Sequence, residues 1–137
     1  MKYLLDANTC IRLLNGSDKE VTRRFTTCQP ADIVLCSVVK AELLYGARRS
    51  ARVESNLKRL EYFAAPLQSL PFDDRCAHDY GLIRADLAAQ GKPIGANDLM
   101  IAAIARAHDL TLVTHNTGEF SRVADLRIED WELVLPG

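Results

Sequence analysis

The chain has 137 residues, 48% of them apolar and 26% charged, a length and balance that fit one domain with a buried core and exclude a disordered chain. No apolar run reaches the roughly 18 to 20 residues of a membrane span, and MKYLLDANTC meets an acid before a signal-peptide core forms, so a soluble, cytoplasmic protein is expected. The net charge of −1 excludes a protein that coats nucleic acid by diffuse attraction, yet residues 1–70 hold 11 Lys/Arg and 7 Asp/Glu whereas residues 71–137 hold 6 and 11, so a basic flank can face an acidic one.

No repeat, low-complexity tract or Pro/Gly/Ser-rich linker interrupts the chain, and a single domain over residues 1–137 is expected. Lys2–Leu5 reads as a short strand ending at Asp6, and Asn8–Leu14 takes helical spacing until Asn15-Gly16 stops it. Ser17 or Asp18 caps a second helix to about Thr27. After Pro30, the apolar run Ile33–Cys36 reads as a buried strand, and Ser37 opens, as its N-cap, a helix to about Ser50. Arg52–Ala64 forms an amphipathic helix, Leu67–Leu70 a strand, and Asp73–Gln90 a long helix ended by Gly91. Asn97–His108 is apolar nearly all round and reads as a helix held between layers. Thr111–Thr114 is the next strand and Glu132–Leu135 the last. Strands alternate with helices, which predicts an α/β class with a mainly parallel central sheet.

Cys10, Cys28, Cys36 and Cys76 are separated by 18, 8 and 40 residues with no CxxC pair, so no zinc site is expected and the four read as buried, reduced thiols. His78, His108 and His115 are spaced too irregularly for a metal triad, Trp131 reads as core packing, and no glycine-rich phosphate loop is present.

In parallel α/β sheets functional groups gather beyond the carboxyl ends of the strands. Asp6 directly follows the first strand, Glu42 lies in the second turn of the helix after the second, and Asp98 stands in the first turn of the buried helix. Thr114-His115-Asn116-Thr117-Gly118-Glu119 follows the fourth strand. Carboxylates gathered in one cleft repel, and a divalent cation neutralises them; Mg²⁺ or Mn²⁺ suits hard oxygen ligands and the hydrolysis of a phosphodiester. Each acid also has a plainer reading. Asp6 fits an N-cap, Glu42 and Glu119 fit solvated positions, and Asp98 is favoured by the helix dipole while Asn97 serves as the cap. Lys40, Arg48, Arg49 and Arg52 share the Glu42 helix and its exit, where they fit either phosphate contacts or a dipole-favoured basic helix end.

The segments LLDANTCI at 4–11, SVVKAELLYGA at 37–47, GLIRADLAAQGKPIGANDLMIAAIA at 81–105, LVTHNTGEF at 112–120 and RIEDW at 127–131 together resemble the PIN-domain ribonucleases, and more closely the VapC toxins of bacterial toxin–antitoxin pairs. The resemblance spans nearly the whole chain. It implies a three-layer α/β/α PIN-like domain, Mg²⁺- or Mn²⁺-dependent endoribonuclease activity, a homodimer, and a VapB-type antitoxin whose C-terminal segment covers the active site. Asp6, Glu42 and Asp98 match the family's first three acids, and Thr114 matches a hydroxyl residue common there. Asn116 falls where many PIN domains carry another acid, which either leaves that role to Glu119, with Asn8, Thr114 and Asn116 in support, or leaves a second metal weakly held. GANDL departs from the frequent GPNDL or GPYDL by Ala96, which loosens the start of the helix without touching the ligands. The enteric VapC branch is most similar, and this implies a tRNA substrate, with initiator tRNA cut in its anticodon loop.

Two other classes compete. Asp6-Ala7-Asn8-Thr9 also resembles the DxDxT of haloacid-dehalogenase-type phosphohydrolases, but Asn8 stands where that chemistry needs a second Asp, and Lys92 precedes a proline in a loop. A non-catalytic interaction module is the second.

Overall fold

The computed structural model describes residues 1–134. Five strands, β1 (Tyr3–Leu5), β2 (Ile33–Cys36), β3 (Gln68–Leu70), β4 (Thr111–Val113) and β5 (Arg127–Glu129), form one sheet in the order β3-β2-β1-β4-β5. Every pairing is parallel, with Leu4 opposite Val34 on one side and Leu112 on the other. The three central strands are continuous apolar runs because helices cover both faces of the sheet. Leu4, Leu5, Val34, Leu35, Leu112 and Val113 are accordingly sealed from solvent.

The helices are α1 (Ala7–Asn15), α2 (Lys19–Thr27), α3 (Ser37–Arg48), α4 (Val53–Ala64), α5 (Asp74–Ala89), α6 (Ala96–Ala107) and the one-turn α7 (Thr117–Phe120). They complete a three-layer α/β/α arrangement in which α5 packs on α6 and α1 touches α2, α3 and α4. Aspartates start three of them: Asp6, Asp18 and Asp73 accept from the backbone N–H of Thr9, Val21 and Cys76 at 2.8, 3.0 and 3.1 Å. Gly16, at φ 59°, ends α1 in the left-handed region that glycine tolerates. Leu99 and Ile101–Ala105 of α6 are buried, as a helix apolar all round requires.

Several boundaries differ from the sequence reading. The N-cap of α3 is Cys36, with no side-chain bond, so Ser37 is the first helical residue. Gly95, not Asn97, caps α6. The last strand is β5 rather than Glu132–Leu135; the Asp130 carboxylate accepts from the Glu132 N–H at 2.9 Å and turns the chain. Glu132 therefore lies in a turn, and Leu135 falls outside the described residues. That turn tucks Trp131 into the core, edge-on to Tyr3 with centroids 5.3 Å apart. All four cysteines are free; Cys10, Cys36 and Cys76 are buried and Cys28 is half-buried. Among the described residues no helix is long and apolar enough to cross a membrane.

Candidate active site

The strand order reverses at β1: the chain leaves it toward β2 and β3, then returns to its other side as β4 and β5. The loops leaving β1 and β4 therefore diverge, and the crevice between them is the topological switch point. Asp6 and Thr114 stand there. The Asp6 N–H donates to the Val113 carbonyl at 3.1 Å, the Thr9 hydroxyl donates to the same carbonyl at 3.3 Å, and the Thr9 N–H donates to the Asp6 carboxylate. Asp6 is thus both an N-cap and a buried acid whose second oxygen is not used by the cap.

Thr114, fully buried, donates its N–H to the Glu129 backbone carbonyl at 2.9 Å and accepts from the Asn116 N–H at 3.0 Å through its hydroxyl, which shapes the turn into α7. Asn116 is the N-cap of α7 but makes no side-chain cap bond, and Glu119 sits in the first turn of that helix. Asn8 is exposed on α1.

Glu42 from α3 and Asp98 from α6 complete the group. Burial pushes the Asp98 carboxyl up to about 6; the charges of Glu119 and Glu42, a hydrogen bond with Glu119 and the charge of Asp6 push the same way. Burial also raises Glu42, opposed by a hydrogen bond from Asn97 and reinforced by Asp6. Four carboxyls from three helix starts and one mid-helix position therefore act on one another electrostatically. No three of them, however, bring one oxygen each within 4.8 Å of the others. Mg²⁺ keeps several waters while binding directly through one or two carboxylates, so it does not require three oxygens at that range. The donors are all hard oxygens, so the residues fit Mg²⁺ or Mn²⁺.

Two other donor groups among the described residues do come within 4.8 Å: Asp73, Cys76 and His108, and His115, Asp130 and Glu132. The first was invisible in the cysteine spacing because His108 arrives from the far end of α6. Its thiol and imidazole do not suit Mg²⁺, and Asp73 is engaged as the cap of α5. In the second, the His115 ring meets Asp130 at 2.9 Å and Glu132 at 3.6 Å, and Glu132 meets Arg12 at 3.0 Å, which ties the chain after β5 to α1. The hydrogen bond to Asp130 and then the two negative charges raise the His115 pKa.

The four expected basic contacts do not gather around Glu42. Lys40 lines an apolar groove with Leu44, Leu57 and Phe63, on a different side of α3 from Glu42. Arg48, Arg49 and Arg52 are exposed at the end of α3 and beyond it. The cation that lines a groove with Glu42 is Arg59 of α4, which donates to the Leu14 carbonyl and to Asn56. Sequence reading passed over Arg59, because 17 residues of chain and a turn separate it from Glu42.

The family model described as the PIN domain matches residues 3–126. The chain is 43% identical over 131 residues to the tRNA(fMet)-specific endonuclease VapC of Shigella flexneri, covering 96% of this chain and 98% of that one. It is 39% identical, with the same coverage, to the protein of that description from Salmonella typhimurium. Among solved structures, DNA-bound VapBC from Salmonella typhimurium matches with a TM-score of 0.90 at 39% identity over 96% of this chain and 98% of that chain. VapBC2 from Rickettsia felis bound to a promoter DNA fragment gives 0.88 at 35% identity, covering 96% and 99%. The chain therefore belongs to the PIN-domain family and, within it, to the VapC toxins, with enteric VapC proteins among its relatives at about 40% identity. Membership displaces the haloacid-dehalogenase reading of Asp6–Thr9.

Proposed function

We propose that the chain, acting as a single PIN domain over residues 1–137, is a Mg²⁺- or Mn²⁺-dependent endoribonuclease that cuts tRNA, with initiator tRNA cleaved in the anticodon loop as its target. The observation that carries this reading is the set of mutually repelling carboxyls at the β1/β4 switch point, with Asp98 raised to about 6. Carboxyls with displaced pKa values gather at functional sites, and a divalent cation neutralises such a group. Asp6, Glu42, Asp98 and Glu119 would hold the cation. Bound there, it supplies a water of lowered pKa and charge neutralisation at the scissile phosphate. The Thr9 N–H fixes one oxygen of Asp6, so that carboxylate is ordered before the substrate arrives. Asn8, Thr114 and Asn116 shape the surrounding loops, and Arg48, Arg49 and Arg52, with Lys40 further off, meet phosphates.

The description of the Shigella and Salmonella relatives as tRNA(fMet)-specific endonucleases supports the substrate. The VapBC complexes of the Salmonella and Rickettsia relatives support a VapB-type antitoxin as partner; on this reading it inhibits the chain in the cytoplasm through a basic side chain that enters the acidic cleft, and the working form is a homodimer. The test compares tRNA, messenger RNA and unstructured oligonucleotides at matched concentration, with Mg²⁺ or with chelator. Metal-dependent cuts confined to one or two tRNA positions are expected. Equal cleavage of all three substrates would leave a general endoribonuclease, and no cleavage in Mg²⁺ or Mn²⁺ would refute the enzyme. A purified cognate complex should cleave more slowly than the free chain.

A further inference from the structure

Glu42 lies on α3 between two grooves, and the second of them, about 390 Å³, is walled by Val38, Tyr45, Asn97 and Met100. Tyr45 follows Glu42 by three residues and so stands one turn further along the same face of the helix. Its side chain is 66% exposed. The Arg49 guanidinium, four residues on, lies over the ring at 5.3 Å from its centroid. The helix thus presents an acid, an aromatic plane and a cation in sequence, leading away from the acidic cluster. Among the described residues, neither Arg49 nor its neighbours Arg48 and Arg52 forms an ion pair, so the positive charge at this end of α3 is unspent.

We propose that Tyr45 is a stacking platform for an unpaired RNA base adjoining the scissile phosphate, with Arg49 steadying the ring and meeting the phosphate beyond it. The proposal rests on the nuclease reading above and adds to it a residue that selects single-stranded substrate. Unpaired bases are recognised by stacking on aromatic and guanidinium planes, and every base offers a face to such a platform. A duplex keeps its bases in the stack and cannot use it. The charge order fits as well: the strand's phosphates run from the cation-loaded acids toward free arginines.

The experiment uses the full chain and an RNA hairpin whose loop carries 2-aminopurine, with Tyr45→Leu and Tyr45→Phe as variants. Tyr45→Leu should raise KM for the hairpin about tenfold, the loss expected for one stacked base, with kcat little changed. It should also abolish the quenching of 2-aminopurine on binding, while Tyr45→Phe keeps both. An abasic site in the loop should weaken binding to the wild type and leave Tyr45→Leu indifferent. Wild-type affinity and quenching in Tyr45→Leu would overturn the platform while leaving the nuclease intact. A shift of Tyr45→Leu from dimer to monomer, with RNA affinity unchanged, would reassign the side chain to a contact between protein chains. Absence of metal-dependent cleavage by the wild type would instead fell the nuclease reading, and the platform with it.

Discussion

Replacing Asp98 by Asn isolates the electrostatic cost of the acidic cluster. In the metal-free fold the Asp98 carboxyl stands at about 6 against an ordinary value of 3.8. Between those values the folded chain keeps a proton that the unfolded chain has released, so stability falls as pH rises through that window. At about 1.4 kcal/mol per pH unit the full displacement corresponds to about 3 kcal/mol. Solvent reaches much of this side chain, and screening reduces the figure to about 1.5 kcal/mol. Asparagine keeps the shape and cannot ionise, but it forfeits about 0.5 kcal/mol of attraction to the N-terminus of α6. The variant should therefore gain about 1 kcal/mol in chelator near neutral pH, which for a chain of this length raises Tm by about 3 to 4 °C. Thermal melts of both proteins across this pH range provide the assay. The gain should shrink toward zero at acid pH, where the wild-type carboxyl is already neutral, and added Mg²⁺ should stabilise only the wild type. A variant less stable than wild type by about 1 kcal/mol at every pH would show that Asp98 is a structural helix-start residue, refuting the repulsion argument.

Other outcomes follow from the same contacts. Asp6→Asn and Glu42→Gln should each lower Mg²⁺-dependent RNA cleavage by about two orders of magnitude or more. Melts of Asp6→Asn should stay within about 0.5 kcal/mol of wild type, because Asn caps a helix about as well as Asp. Leu112→Ala removes a fully buried side chain from β4 and should cost about 2 to 5 kcal/mol in urea unfolding, with an unchanged m-value. Asp130→Asn should bring the raised His115 pKa down in an NMR titration; the pairing favours the fold below the ordinary histidine value and is lost as pH rises through the raised one. An unmoved His115 titration would show that Asp130 does not hold the ring.

The central strands were readable because burial on both faces leaves an unbroken apolar run such as Ile33–Cys36, and the acids that follow them were readable because parallel sheets gather function at strand ends. The edge strand β5 was not. Arg127, Ile128 and Glu129 carry only one apolar residue, and the more apolar stretch that ends in Leu135 drew the strand assignment past its true position. Asp6 resolved an ambiguity by satisfying both of its readings at once, as the cap of α1 and as a member of the cluster. Partners supplied across the fold left no trace in local pattern. Asn97 hydrogen-bonds Glu42 from another helix, Arg59 faces Glu42 across a groove, and His108 meets Cys76 over 32 positions of chain.

The strand order carries a consequence for synthesis. β1, the first element made, is the middle of the sheet, and its second neighbour β4 is nearly the last. Asp6 takes its position from the Val113 carbonyl, and Glu119 lies further still along the chain. A ribosome must therefore release residues through Glu119 before the four acids can meet. Up to that point the nascent polypeptide has made α1 to α6 and β1 to β4 but lacks the fourth acid. Contacts this distant in sequence close late in folding, so a chain that stops short of Glu119 cannot assemble the four-acid set.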